Sequence, residues 1–572
     1  MNLLEPPQPL TARERAIYWA VLIACAASRF LAVAHTLWDW DEALFCLGMR
    51  SYDVASHHPH PPGFPVYIAM AKVARLFTIS DFRALQTVNL IAAVLLFPAM
   101  FMLARELRLR FTTAVIAAAL LAFLPNVWFF GGTAFSDVVS IVLVIYAVAF
   151  LFRGCRDPKA YLIGAFLLAL SVGIRPQNLL VGIFPAAVAT WHRTRRDIVL
   201  AVLIGIAVVG IAYGAAIRAT GSYERFSSAV RAHGEYISKV DSFRSPNRPP
   251  LWRIFDRFFV KQYQSSVLGG IVSIFVAVSI IGAIRNRDTS MLYNALTFGP
   301  FAVTAWLMLD RFSINRFSIG YAPMFAIFAA DGIRRVARQP RIEAAIGGVL
   351  VIAFAVWTWP ALAVVRREVA PSVAAVDATS QYVDYKRDDL FVSTSMWPFI
   401  EYLAPDAQFI RVIDDRALPL SLGTRPAYLL TEVGMTAKGG MVFRRPRGRL
   451  WSITRRRYFE VSLAPVSRVA QFVSGWQPGE REGQEEFRAM DGHSVTRLPP
   501  SPGDTLLRID FDVPDESTST VTIALNGKML DRFPAAGSQI REYHVTGGAA
   551  PGTLEIASSA RLRVHHLSWG AE

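Results

Sequence analysis

The chain has 572 residues, 53% of them hydrophobic and only 18% charged, with a formal net charge of +15. That length could hold three or four soluble domains of about 100–200 residues each. However, up to about Val365 the apolar residues come in blocks of roughly 17–25, each long enough to cross about 30 Å of hydrocarbon. Disorder and collagen-like structure are excluded by the same numbers. Nucleic acid is not an expected partner, because the basic residues collect at the ends of the apolar blocks, where they act as topology signals.

The pattern predicts eleven membrane helices near 16–37, 84–104, 112–130, 136–152, 158–174, 177–191, 198–218, 264–284, 290–309, 317–333 and 343–365. Arg13 and Arg15 precede the first block, and Ala32-Val33-Ala34 imitates a cleavage site. The run from Ala16 to Leu37 is longer than a signal-peptide core, so it reads as an uncleaved first helix. Alternate hinges carry Arg105/Arg108/Arg110, Arg153/Arg156/Lys159, Arg193/Arg195/Arg196, Arg285/Arg287 and Arg334/Arg335/Arg338/Arg341. The positive-inside rule puts these hinges and the N-terminus in the cytoplasm; eleven being odd, the C-terminus lies outside. The Ala- and Arg-rich composition and the lack of a eukaryotic targeting signal fit a bacterial inner membrane.

Two outside loops are long, from Trp38 to about Arg83 and from about Thr220 to Tyr263. The second is basic against the charge rule. Its end, Leu251–Tyr263, places Leu251, Phe255, Phe258, Phe259 and Tyr263 on one helical face and Arg253, Arg257 and Lys261 on another, the pattern of an interfacial amphipathic helix. Docking on headgroups and a grip on an anionic lipid substrate both fit it.

After Arg366 the composition changes. Asp389–Ser393, Phe409–Ile413 and Tyr428–Thr431 read as strands and Trp397–Leu403 as a helix, giving a small α/β unit to about Pro465. Short alternating runs follow at Leu506–Phe511, Val521–Leu525, Gly552–Ile556 and Leu562–Leu567. The Asn526-Gly527 turn between two of them signals a hairpin. The expected organisation is a membrane part over 1–365, an α/β unit over 366–465 and a β-sandwich over 466–572. Sugar binding and structural capping are both open to the sandwich. Cys25, Cys46 and Cys155 all lie in the membrane part, so no disulfide is expected in the soluble part.

The candidate chemistry sits in the first outside loop. Asp39, Asp41 and Glu42 crowd together directly after the first helix, where a carboxylate is easily desolvated and tuned as a base. His57, His58 and His60 lie among prolines in an irregular segment. Substrate contact or a structural role fits them better than a divalent metal, and no cofactor is called for. Asp41-Glu42 followed by His60-Pro61-Pro62-Gly63 resembles the GT-C superfamily of membrane glycosyltransferases, and is most similar to the protein O-mannosyltransferase-like branch. The likeness covers about residues 10–365. It departs at the C-terminus, where an α/β unit and a sandwich replace a β-trefoil insertion.

The resemblance implies inverting transfer of a sugar from a polyprenyl-phosphate donor to a hydroxyl on a glycan, lipid or protein acceptor outside the membrane. By position Asp41 matches the catalytic Asp and Glu42 its acidic neighbour, with Asp39 as the reserve base. Such chemistry needs cations for the phosphate. Arg175, Arg311 and Arg316 lie at expected outer helix ends, with Arg253, Arg257 and Lys261 in the basic loop. Each arginine has a bland reading as well, snorkelling or pairing with Asp310 or Asp137. Asp137, at the start of the fourth helix, has its own as a cap. Arg29, inside the first helix, needs a partner that the sequence does not name. A transporter or flippase of lipid-linked glycans, or a ligase-type assembly protein, is the competing class. Transporters keep their polar sites at midplane, whereas here polarity is densest in the outer loops.

Overall fold

Each of the eleven expected segments holds a helix in the computed structural model of the chain. The structure describes all residues except 1–2, 245–248, 309–313, 413–425, 433–439, 446–447, 449–452, 454–459, 466–470, 483–484, 499, 502, 515–517 and 572. The chain divides into two compact units, the first holding Met1–Val369 and the second beginning at Ala370.

The first unit is all helical. Its elements are α1 (Ala12–Phe30), α2 (Trp40–Arg50), α3 (Pro65–Arg75), α4 (Asp81–Glu106), α5 (Phe111–Phe123), α6 (Pro125–Phe130), α7 (Asp137–Arg153), α8 (Pro158–Ile174), α9 (Leu179–Thr190), α10 (Arg195–Thr220), α11 (Tyr223–Asp241), α12 (Leu251–Phe259), α13 (Ser266–Asn286), α14 (Thr289–Met308), α15 (Ile314–Phe317), α16 (Ala322–Ala337) and α17 (Pro340–Arg367). By length and composition, four helices among the described residues can cross a membrane: α4, α10, α13 and the one beginning at Pro340. The chain is a multi-pass membrane protein.

Two boundaries differ from expectation for local reasons. The first helix stops at Phe30 rather than 37, and residues 31–39 turn back across the bundle, Ala34 N donating to Gly132 O at 2.9 Å and His35 N to Val365 O at 2.8 Å. The segment 112–130 breaks at Leu124, whose ψ is 136°, because Pro125 drives the residue before it out of the helical region. The first long loop also contains two helices, α2 and α3, where irregular chain was expected.

The amphipathic face of α12 divides. Leu251, Trp252 and Phe255 are exposed, whereas Ile254 and Tyr263 are buried and Phe258 stacks on Tyr321 with ring centroids 4.7 Å apart. Phe258 and Tyr263 therefore anchor the segment inward instead of facing lipid.

In the second unit, α18 (Pro371–Tyr382) leads into β1 (Asp389–Ser393), α19 (Trp397–Leu403) and β2 (Ile410–Val412), a parallel βαβ turn. β3 (Ala427–Glu432) lies parallel to β1, and β4 (Met441–Arg444) and β5 (Glu460–Pro465) close a five-stranded sheet in the order β2-β1-β3-β5-β4. The rest is antiparallel: β6 (Gln471–Glu482), β7 (Glu485–Leu498), β8 (Gly503–Val513), β9 (Ser519–Leu525), β10 (Lys528–Ala535), β11 (Gly537–Gly547), β12 (Gly552–Ser558) and β13 (Leu562–Ala571). The expected sandwich is one continuous sheet. β7 pairs with β13 through residues 488–490 and with β12 through 493–498, so a single long strand belongs to both halves. Alternate residues of β8, β9 and β12 are buried, and Ile509, Phe511, Ile523 and Ile556 from the two halves join one core. Asn526 and Gly527, with φ of 52° and 75°, make the expected tight turn from β9 to β10.

Helix packing in the first unit depends on close approach at Gly332. A Cβ there would lie 1.9 Å from the Phe275 carbonyl oxygen of α13. Gly332→Ala should lower the thermal unfolding midpoint of the detergent-purified protein, since overpacking costs about 1–3 kcal/mol. Gly348→Ala in α17, where an added Cβ meets nothing within 4 Å, should leave the midpoint unchanged or raise it.

Candidate active site

Four charged side chains from four separate segments meet at one end of the helical unit: Asp41 in the first turn of α2, Asp137 at the start of α7, Arg175 just after α8, and Arg316 in α15. Arg316 Nη1 pairs with Asp41 Oδ2, and its Nε lies 3.6 Å from Asp137 Oδ2. Arg175 Nη2 lies 2.8 Å from the same Asp137 oxygen, and its Nε and Nη2 donate to Ser136 Oγ at 3.2 and 3.1 Å. Asp41 and Asp137 are each 5% exposed and Arg175 6%. Aromatic faces cover the guanidinium groups, Phe64 and Phe317 over Arg175, Phe135 and Phe317 over Arg316. Asp137, Arg175 and Arg316, with Ser140, Asn178 and Phe317, line a cavity of about 20 Å³, room for a water-sized group.

The three neighbouring carboxylates of the first loop divide their work. Asp39 is the N-cap of α2, its carboxylate accepting from Asp41 N at 3.0 Å. Glu42 completes a capping box three residues on. Its Oε2 accepts from Trp38 N at 2.6 Å and Asp39 N at 3.0 Å, and its Oε1 from Ala134 N at 2.8 Å. Burial pushes the Glu42 carboxyl up to about 8 against the pull of those three N–H groups. Glu42 thus fastens the start of α2 to the 131–136 turn, the turn that presents Asp137, and Asp41 faces the arginines. This arrangement assigns Asp39 and Glu42 to scaffold. Asp137 is likewise no helix cap: it is the first helical residue, and its carboxylate serves both arginines.

The His60–Phe64 segment is shaped by one backbone position. Gly63 has φ +96°, its carbonyl accepts from Tyr52 Oη at 2.9 Å, and a Cβ there would lie 2.4 Å from that oxygen, so no other residue fits. The turn seats Phe64 against Arg175 and holds His60 Nδ1 4.0 Å from Asp41 Oδ1. Burial, ahead of all nearby charges, lowers His60 to about 3.

Other expected residues lie elsewhere. Arg311 and Asp310 are outside the described residues. Arg253 covers the Trp252 ring and Lys261 pairs with Asp256 at 2.7 Å; neither these two nor Arg257 lines the cavity. Among the described residues no three His, Cys, Asp or Glu side chains stand together in a way that could hold a metal ion. The three cysteines are buried and none is in a disulfide.

The other end of the unit has its own ion pairs: Glu106 with Arg153 and Arg156, Glu343 with Arg110, and Asp331 with Arg334 and Arg335. These use arginines from three of the five basic hinges. Arg29 finds its partners in the Ala122 and Cys25 carbonyls, at 2.7 and 3.2 Å, and in the rings of Phe123 and Trp128.

No protein-family profile and no curated protein matches the chain. Among solved structures it is similar to ArnT from Cupriavidus metallidurans in the apo state, at 13% identity and a TM-score of 0.49, over 78% of this chain and 97% of that one. The same protein bound to undecaprenyl phosphate gives 13% identity and a TM-score of 0.48, over 80% and 99%. The arabinofuranosyltransferase AftD from Mycobacteria gives 12% identity and a TM-score of 0.45, over all of this chain and 60% of that one. At such scores the likeness is in the course of the chain alone, and neither neighbour singles out the protein O-mannosyltransferase-like branch.

Two stability measurements check the geometry. Arg175→Met leaves Asp137 buried with one cation fewer and should cost about 3–5 kcal/mol. Adding Asp137→Asn should recover much of that loss, so that the double-mutant cycle shows strong coupling. Glu42 titrates higher in the folded chain than its ordinary value of 4.5, so the stability it lends is whole below 4.5 and is lost as pH rises through 8. Unfolding midpoints measured from about pH 5 to about pH 9 should therefore fall with pH, and Glu42→Gln should begin lower and stay flatter.

Proposed function

We propose that the chain is an inverting membrane glycosyltransferase of the GT-C type. In this reading it has eleven membrane helices, a cytoplasmic N-terminus and a C-terminal part outside a bacterial inner membrane. It moves a hexose from a polyprenyl-phosphate donor to a hydroxyl on a glycan, lipid or protein acceptor. The observation that carries the reading is the convergence of Asp41, Asp137, Arg175 and Arg316 in one buried cluster beside a cavity. A cluster of four desolvated charges is costly to build, and sites that hold such groups are where catalytic chemistry concentrates.

The chemistry follows from the groups. The acceptor hydroxyl gives its proton to Asp41 as its oxygen attacks C1 of the sugar. The C1–O bond to phosphate breaks, with its electron pair going to the leaving oxygen. The ion pair with Arg316 favours the charged form of Asp41, the form a base requires. Arg175 and Arg316 face the cavity with planar forks that match phosphate oxygens and stabilise their developing charge. The pairing of Arg175 and Arg316 with Asp137 is observed, and in this reading the same two groups also take the donor phosphate.

The test is turnover of a radiolabelled polyprenyl-phosphate hexose by purified protein. Asp41→Asn keeps the volume, leaves Arg316 its pairing with Asp137, and removes the base. It should lower transfer by about 10²–10⁴-fold per folded molecule, alongside a lower unfolding midpoint because two buried guanidinium groups then share one carboxylate. Undiminished transfer in a folded Asp41→Asn variant would remove Asp41 from the chemistry.

A further inference from the structure

We infer that His60 and His233 carry the acceptor's proton from Asp41 to solvent, making His233 a catalytic-relay residue of the second long loop. The inference rests on the reading of Asp41 as the base. Once that base has taken a proton it must lose it before the next turnover, and at 5% exposure it has little direct contact with water.

The path is laid out by position. His60 Nδ1 faces Asp41 Oδ1 across 4.0 Å, a gap that a small ring rotation or one bridging water closes. That nitrogen is buried and has no hydrogen-bond partner among the described residues. Beyond it the His233 ring stands 6.2 Å from the His60 ring and 6.3 Å from that of His57, and both His57 and His233 are partly exposed. His60 can take a proton on Nδ1 and release one from Nε2, so no net charge stays in the buried position. His233 then takes the proton and hands it to water. No bond other than these N–H and O–H bonds is made or broken in the relay.

The placement of His233 is built into the fold. α11 is docked on the first loop by Arg225, 2.5 Å from Asp53 Oδ2, and by Phe226, which packs with Val54 and Ala216. Just before it, at the last residue of α10, Thr220 Oγ1 accepts from Val54 N at 3.3 Å. His233 comes seven residues after Phe226, two turns along the same helical face. The face that docks α11 therefore also delivers His233 to the HPPG turn. The charged and titratable groups around the pair are Asp41 from α2, Arg316 from α15, Arg175 after α8 and His57 from the loop itself. Burial lowers both His60 and His233 below their ordinary value, which disfavours a lasting imidazolium at either ring and fits transfer through the neutral His60, one proton arriving as another leaves.

The experiment uses the full-length protein in detergent, a radiolabelled polyprenyl-phosphate hexose, and a soluble alkyl glucoside as the probe acceptor. His233→Ala should lower kcat about tenfold with the donor KM unchanged. It should raise the solvent deuterium isotope effect, and added imidazole should restore the rate. His233→Gln, which keeps the bulk but cannot be protonated, should behave as His233→Ala does. Wild-type turnover in His233→Ala, or a loss that imidazole does not restore and that His233→Gln repairs, overturns the relay and leaves the residue structural. Asp41→Asn in the same assay separates the two readings. If it is inactive while His233→Ala is unaffected, only the relay fails; if it stays active, the base assignment fails and the relay with it.

Discussion

Four charges held away from water are the constraint that organises the helical unit. Removing an ion from bulk solvent costs several kcal/mol even after the protein relaxes, and the cost is recovered only by close opposite charges and hydrogen bonds. Here two carboxylates and two guanidinium groups balance one another, with Arg316 between Asp41 and Asp137 and Arg175 braced on Asp137 and Ser136. None of the four is near another in sequence. The turn after α8, the first turns of α2 and α7, and the short helix α15 must all be positioned before any of the four is satisfied. The cluster thus couples local cap geometry to the packing of the whole unit.

That coupling explains the dense backbone bonding around the 131–136 turn. Gln86 Nε2 donates to the Ala34 and Gly132 carbonyls, Asn89 Nδ2 to the Thr133 carbonyl, and Glu42 receives Ala134 N. The long helix α4 supplies both amides, so a 26-residue helix sets the position of an irregular turn. A site built on rigid elements keeps its geometry better than one carried by loops alone. Glu42 is the most expensive member of this scaffold, being wholly buried.

Much of this was legible in the sequence. Hydrophobic length located the long apolar helices but not the polar 19-residue α11, and β1 and α19 fall where alternation and length put them. Asp41, Arg175, Arg316 and Asp137 were all visible as candidates because charges at the ends of apolar blocks need reasons. Their pairing was not visible, since it spans 275 residues between Asp41 and Arg316. The division among Asp39, Asp41 and Glu42 carried a local signal, an Asp-x-x-Glu capping box, which the expectation of an irregular loop concealed. His233 had none: only the docking of α11 brings it to the first loop. The strands β6, β7, β10 and β11 also escaped. β7 turns from one half of its sheet to the other, and its burial does not keep a single period.

The basic segment between Thr220 and Tyr263 departs from the charge pattern of the other loops. Three of its cations have partners within the unit. Arg225 is bound to Asp53, Lys261 to Asp256, and Arg253 lies over the Trp252 ring. Arg225 does more than neutralise. By fixing α11 to Asp53 it turns the excess charge of one loop into the attachment of that loop to the other. The same attachment sets the register that places a histidine beside the HPPG turn. A local anomaly in composition is therefore a structural requirement: the second loop has to carry cations because the first presents the carboxylate to which it is fastened.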